Sequence, residues 1–364
     1  MGKYGIAVYA ICRDEAKFAR RWAESMREAD WVIAMDTGSA DGTRELLRAE
    51  GVTVVEQTVS PWRFDVARNL ALSLVPAEAD ICVSTDLDEL FRPGWRSALE
   101  ASWTADAKRA RCRYTWSFNP DGSEGVVFWA DKIHARDGFR WENPVHEVLE
   151  YERAAYRTVL AEGVQLNHRP DPEKSCHQYL PLLELAVREK PEDDRLLYYL
   201  GREYLYRGMW EKCIGALQRH LKLESAVWPG ERSASMRFIA RAHQELGNPL
   251  EAERWLLRAI AEAPHLREPW VDMASLSRRL RDWDGAAFFA GRALRISERA
   301  KSHILEPSAW GILPYDIRAA ALYETGRVRE ALFVLDRALG RAPGDQHLTQ
   351  MRARVARTLG SDGE

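Results

Sequence analysis

The sequence predicts an α/β half built on a parallel sheet, followed by an all-α half made of helical repeats. Three observations predict it. Short apolar runs alternate with amphipathic stretches as far as Pro93, two aromatic and β-branched runs follow, and strand signal almost vanishes from about Lys174. Runs that stay apolar throughout and are separated by helices imply a parallel sheet covered on both faces. At 364 residues the chain exceeds the size at which one core stops growing, so two domains are expected, 1–172 and 173–360.

Ile6 to Ile11 reads as a buried strand, and Phe18, Trp22 and Met26 mark a helix after it. Trp31 to Met35 is the second strand and Thr43 to Glu50 the second helix. Val52 to Val55 is the third strand; the helix from Phe64 to Val75 carries Val66, Leu70 and Leu74 on one face. Ile81 to Val83 forms the fourth strand. Arg111 to Phe118 and Val126 to Ile133 flank Asn119-Pro120-Asp121-Gly122, a strong turn signal, and read as an antiparallel addition at the sheet edge. Asn143 to Leu149 and Val164 to His168 close this half.

In the second half, Leu200-Gly201, Tyr204, Gly208, Cys213 and Leu217 begin an internal repeat. Ala240, His243, Gly247, Ala252, Leu256, Ala259 and Pro264 form a second copy, and Trp270, Ala274, Ala286, Ala290 and Ala293 a third. Ala319, Leu322, Gly326, Ala331, Leu335, Ala338 and Pro343 form a fourth. The register shifts are 39, 34 and 45 residues, so the first and last gaps carry insertions, the last containing Pro307 and Pro314. These positions resemble the tetratricopeptide repeat, whose small residues stand where two helices cross. Such arrays bind extended peptides or partner proteins, and homodimerisation through the array is a second expectation.

Composition describes a globular protein, with 46% hydrophobic and 29% charged residues. A net charge of -3 gives no push toward nucleic acid. Five scattered cysteines without a CxxC pair favour reduced thiols over a disulfide framework. The run Ile6 to Cys12 is too short for a signal-peptide core, Ile6 breaks the myristoylation pattern, and no segment approaches a membrane span. A cytoplasmic protein is expected.

Chemistry concentrates in the first half. Asp86-Leu87-Asp88-Glu89 follows the apolar run Ala79 to Thr85, and two carboxylates one residue apart at a strand's end can hold a divalent cation. Asp36 opens the loop Asp36 to Thr43, where a carboxylate at a strand's C-terminal end points into the ligand crevice of an open sheet. Ser39 or Asp41 is placed to cap the next helix. Neither a dinucleotide fingerprint nor a Walker-type lysine is present.

Arg13-Asp14-Glu15, the Asp36 loop, Phe64-Asp65-Val66-Ala67-Arg68-Asn69 and Asp86-Leu87-Asp88-Glu89 occur in the order found in family-2 glycosyltransferases. Over roughly residues 4 to 170 the chain therefore resembles that family, with its GT-A, Rossmann-like fold. The resemblance implies a metal-dependent inverting hexosyltransferase. Asp36 and the backbone near Ala10 would bind the uracil of a UDP-sugar, Arg68 would reach the nucleotide, and Asp86 would contact ribose or sugar. Asp88, with the later His168, would ligate Mn²⁺ or Mg²⁺. Asp14 departs from the family's usual Asn. An inverting transfer needs a base, which the resemblance puts at Glu147, with His146 positioning substrate and Asp131 and Asp137 as rivals. Trp62, Trp116, Trp129 and Trp141 are candidates to stack on a sugar or acceptor.

A transferase fused to such repeats is similar to bacterial peptide S- and O-glycosyltransferases, which implies a peptide or protein acceptor. A glycan, a lipid-linked sugar or a modified DNA base is the alternative acceptor. The competing classes are a non-catalytic repeat scaffold with a decayed nucleotide-sugar domain and a nucleotidyltransferase, which would carry a glycine-rich loop with a basic residue near Ile11.

Overall fold

The computed structural model describes residues 2–119, 121–153, 155–171, 179–300, 302 and 304–361. Pro120 of the expected turn, Cys176 and the expected boundary at 172/173 lie outside the described residues. The chain divides into two compact units: Met1–Glu189 with Lys301–His303, and Lys190–Ala300 with Ile304–Glu364. The division therefore follows the first helix after the sheet instead of preceding it.

The first unit runs β1 (Ile6–Cys12), α1 (Ala16–Met26), β2 (Trp31–Asp36), α2 (Thr43–Ala49), β3 (Thr53–Glu56), α3 (Phe64–Ser73) and β4 (Ile81–Thr85). It continues with β5 (Glu89–Phe91), α4 (Trp95–Ser102), β6 (Ala107–Thr115), β7 (Val127–Ala135), β8 (Phe139–Glu142), β9 (Val148–Tyr151), β10 (Arg157–His168) and α5 (Tyr179–Glu189). Eight strands form one sheet in the order β3-β2-β1-β4-β7-β6-β10-β5, and β8 pairs with β9 separately. β3, β2, β1 and β4 are parallel, as their unbroken apolar runs require. β7 is antiparallel to both β4 and β6, and β6 runs parallel to β10.

Two expectations need correction. The runs around the Asn119 turn are not at the sheet edge. The 12-residue β10 flanks β6 and β5 flanks β10, so β6 and β7 are interior, which suits their fully buried Cys112 and Ile133. In α3 the face carrying Val66 and Leu70 points outward, both being more than a third exposed. Ala67, Arg68, Ala71 and Leu72 are buried instead, because alanines let the backbone approach the sheet and Arg68 finds acidic partners beneath it.

The core combines Ile6, Val8, Tyr9, Ile81, Val83 and Ile133, all essentially inaccessible. Its polar atoms are paired: Trp22 Nε1 donates to Thr85 Oγ1 at 3.0 Å, and Trp141 Nε1 donates to the Tyr9 hydroxyl at 2.8 Å. That hydroxyl also lies 2.9 Å from His134 Nε2. Cys12, Cys82, Cys112 and Cys213 are free and buried. Burial pushes the thiols of Cys82, Cys112 and Cys213 up to about 12.

The second unit is helical throughout its described residues: α6 (Asp194–Tyr206), α7 (Trp210–His220), α8 (Pro229–Glu245), α9 (Pro249–Glu262) and α10 (Glu268–Arg279). There follow α11 (Trp283–Arg295), α12 (Pro307–Trp310), α13 (Leu313–Glu324), α14 (Val328–Arg341) and α15 (Gln346–Ser361). Consecutive helices pair as α6 with α7, α8 with α9, α10 with α11 and α13 with α14, a tetratricopeptide-like array. Each pair turns on one left-handed residue: Gly208, Gly247, Arg281 and Gly326, at φ 69°, 75°, 60° and 74°. Their spacings reproduce the 39, 34 and 45 read from sequence, and they give the third copy the turn residue that reading lacked.

Small residues stand at the helix crossings as expected. Ala240, Ala252, Ala274, Ala286, Ala319 and Ala331 have no accessible surface. A Cβ on Gly201 would overlap the buried side chain of Leu217, so glycine lets the first pair cross closely there. The last insertion holds α12, and its Glu306 pairs with Arg237 at 2.7 Å and Arg241 at 2.6 Å, which also grip Asp272. No helix among the described residues is long and apolar enough to cross a membrane.

Candidate functional site

The C-terminal ends of β1, β2 and β4 open on one side of the sheet, where parallel strands deliver their loops. Ala10 itself is enclosed, paired with Ala34 of β2 and Thr85 of β4, and Ile11 is the one partly exposed residue of β1. The loops after β1 and β2 are laced together. Asp14 accepts from the Ala40 N–H at 2.7 Å, Asp41 accepts from the Ala16 N–H at 3.0 Å, and Thr43 Oγ1 accepts from the Glu15 N–H at 2.8 Å. Asp14 sits at φ 54°, a left-handed conformation that Asn and Asp tolerate best, which explains why Asp can stand where the resemblance expects Asn.

Asp36 is 1% exposed and its carboxylate is used locally. It accepts from the backbone N–H groups of Gly38 at 3.0 Å and Ser39 at 2.9 Å, and from the Ser39 hydroxyl. Neither Ser39 nor Asp41 caps α2, whose N-cap is Gly42; Asp41 instead accepts from the Thr43 N–H at 3.0 Å.

Arg68 is the hub. It reaches from α3 to donate to Asp86 Oδ1 at 2.8 Å, to Ser84 Oγ at 3.3 Å and to Glu147, with its guanidinium 5.2 Å from the Trp141 ring. Burial alone would lower its pKa, but Asp86 and Glu147 outweigh that and hold the charge. Its neighbour Asn69 fixes the segment carrying Glu147, exchanging hydrogen bonds with the Trp141 backbone at 2.8 and 2.9 Å. His146 follows in a left-handed turn at φ 50°, its ring edge-on to Tyr179 at 6.0 Å.

Asp88 and His168, far apart in sequence, meet with Nε2 and Oδ2 3.4 Å apart. The imidazole stacks on Trp116 at 4.4 Å, and its Nδ1 lies 3.0 Å from the Trp116 carbonyl. With Nδ1 donating to that carbonyl, Nε2 is turned toward Asp88, the orientation that would let both groups hold one cation in place of the proton they otherwise share. Burial pulls this imidazole down, yet Asp88 outweighs it and holds the pKa above 6.5. The donor set fits a hard-to-borderline divalent cation.

Lys132 was not anticipated. Its Nζ lies 2.9 Å from Glu89 and 3.5 Å from Asp86. Burial would lower the ammonium, but Glu89 and Asp86 together raise it. Glu89, 1% exposed, also accepts from Tyr114 at 2.6 Å and from the Asp86 N–H at 3.0 Å, so it braces the acidic loop. The one available signal was a lysine inside an apolar strand run. Strand alternation puts the rival base Asp131 on the other face, paired with Arg111 at 3.0 Å. The second rival, Asp137, follows Ala135, which pairs with Ile81 at the opposite end of β4 from Asp86. Neither rival joins the site. Of the four tryptophans, Trp116 and Trp141 do; Trp62 packs on Phe64 at 5.1 Å, and Trp129 pairs with Arg113 across the sheet.

No protein-family model matches the chain, and no curated protein matches it. Among solved structures, MamA is similar at 17% identity over 45% of this chain and 86% of its own, with a TM-score of 0.37. A thermophilic TPR protein of Thermus thermophilus is similar at 21% identity, covering 49% of this chain and 88% of that one, with a TM-score of 0.35. The Cut9–Hcn1 hetero-tetramer of the APC/C gives 15% identity, 50% and 33% coverage and a TM-score of 0.39. All three scores are below 0.5, so the repeat architecture stands on the helix pairing and turn spacing themselves.

Proposed function

We propose that the first unit is a metal-dependent inverting glycosyltransferase moving a hexosyl group from a UDP-sugar to a peptide or protein side chain. The observation that carries the reading is the Asp88–His168 pair, its imidazole oriented by the Trp116 carbonyl beside the Arg68–Asp86 pair. A strand order that is parallel from β3 to β4 and turns antiparallel at β7 supports a GT-A fold. Mn²⁺ or Mg²⁺ held by Asp88 and His168 would neutralise the departing diphosphate, and the imidazole favours Mn²⁺.

Arg68 contacts Glu147, the candidate base, so the two roles are linked. For Glu147 to take the acceptor's proton, Arg68 transfers its hydrogen bonds from Glu147 to the donor's phosphates while keeping Asp86. His146 then lines the acceptor side. In the repeats, Phe333 is 63% exposed beside Tyr315, Arg318 and Arg337, an apolar and cationic cleft suited to an acidic extended peptide. A second copy of the chain is the other occupant this surface would take.

One observation favours a non-catalytic scaffold instead: Asp36 is already saturated by its own loop. UDP release separates the readings. With Mn²⁺, a donor among UDP-glucose, UDP-galactose, UDP-N-acetylglucosamine and GDP-mannose should raise the melting temperature and be turned over. Asp88→Ala should lower that turnover about 100-fold with the fold retained. Glu147→Gln should slow transfer by about 100-fold while donor binding survives. Absence of nucleoside-diphosphate release, UDP from the three UDP-sugars and GDP from GDP-mannose, leaves the scaffold reading.

A further inference from the structure

A second constellation lies wholly within the helical unit. Asp194 stands in the first turn of α6, His220 ends α7 and Glu231 stands in the first turn of α8. Their ligand atoms all lie within 4.8 Å of one another. His220 has no accessible surface, and its Nε2 is buried without a hydrogen-bond partner. Leaving a buried ring nitrogen unpaired is destabilising, so its orientation toward two carboxylates needs a reason.

The other ring nitrogen supplies one. Nδ1 lies 3.0 Å from Ser235 Oγ, one turn further along α8. With Nδ1–H donating to that hydroxyl, Nε2 carries a lone pair directed at the two acids, the tautomer a metal ligand requires. Capping of α6 is done by Asp193, which accepts from the Leu196 N–H at 2.9 Å, so Asp194 is not needed for it. The neighbouring cation Arg232 is engaged by Glu262 at 2.7 Å and by the carbonyls of Leu221 and Ala226 at 3.2 Å.

We propose that Asp194, His220 and Glu231 bind a divalent transition-metal ion, Zn²⁺ by ligand type, which staples the first helical pair to the second. One imidazole and two carboxylates balance a double positive charge and leave a fourth position for water. Ligand bonds of about 2.0–2.2 Å require the three side chains to close by only about an ångström. The staple spans residues 221–228, the connection between α7 and α8, where the first gap in the repeat exceeds its usual length.

The test uses full-length protein carrying Asp88→Ala, which removes the other candidate metal site, stripped with a chelator. Titration with Zn²⁺ should show one equivalent bound with micromolar or tighter affinity and a raised melting temperature, and Co²⁺ should give the visible bands of a four-coordinate site. Glu231→Gln and Asp194→Asn, near-isosteric changes in the first turns of α8 and α6, should each weaken uptake at least tenfold while circular dichroism stays unchanged. Absence of stoichiometric uptake, or uptake unaffected by both substitutions, overturns the proposal.

Discussion

Single residues decide the candidate site. Lys132 offsets much of its burial cost by facing the inaccessible carboxylate of Glu89. Lys132→Met should destabilise the protein by about 3 kcal/mol in urea melts, and adding Glu89→Gln should recover much of it, because the penalty is an uncompensated charge. His134 gives a pH signature. Burial lowers its pKa from 6.5 to about 3, so the unfolded chain takes up a proton that the folded chain refuses. Stability should therefore fall as pH drops from 6.5 toward 3, by up to about 1.4 kcal/mol per pH unit. His134→Gln should flatten that slope in melts across the same range. The acidic loop and His168 were legible because both follow apolar runs at strand ends. Lys132 was not, since its meaning depends on β7 lying beside β4, a pairing that local pattern does not encode.

At the level of elements, the repeat register was the most legible feature. Helix crossings demand small residues and tight turns demand left-handed ones, so spacing alone recovers the pairs. Arg281 is the exception that the backbone exposes, holding φ 60° where the other pairs use glycine. Arg281→Gly should relieve that conformation and stabilise the array by about 0.5–1 kcal/mol in thermal melts. The orientation of α3 was not legible. Val66 and Leu70 look like a core stripe, but Arg68 on the neighbouring face gains Asp86 and Glu147, and tertiary charge pairing overrides the apolar period. The short β5 and the interior place of β6 and β7 escaped for a similar reason, since both follow from long-range strand pairing.

Over the whole molecule, among the described residues, each of the two units has buried apolar clusters of its own. One core is built on β1, β4 and α1; the others lie in the repeats around Ala274, Leu276 and Ala293. Calorimetry should accordingly show two transitions, and UDP-sugar with Mn²⁺ should raise only one, because a ligand stabilises the unit that binds it. A single transition shifted as a whole would contradict this prediction. The division into a sheet half and a helical half was readable from pattern, because strand and helix periods differ. Its position was not, since α5 follows the sheet in sequence but counts with it in contacts.

The buried thiols make the chain its own stopwatch. A thiol reagent can modify Cys12, Cys82 or Cys112 only when the sheet unit opens, and Cys213 only when the first helical pair opens. With Cys176 replaced by serine, labelling rates read by mass spectrometry would time the breathing of each half separately, without attaching any probe.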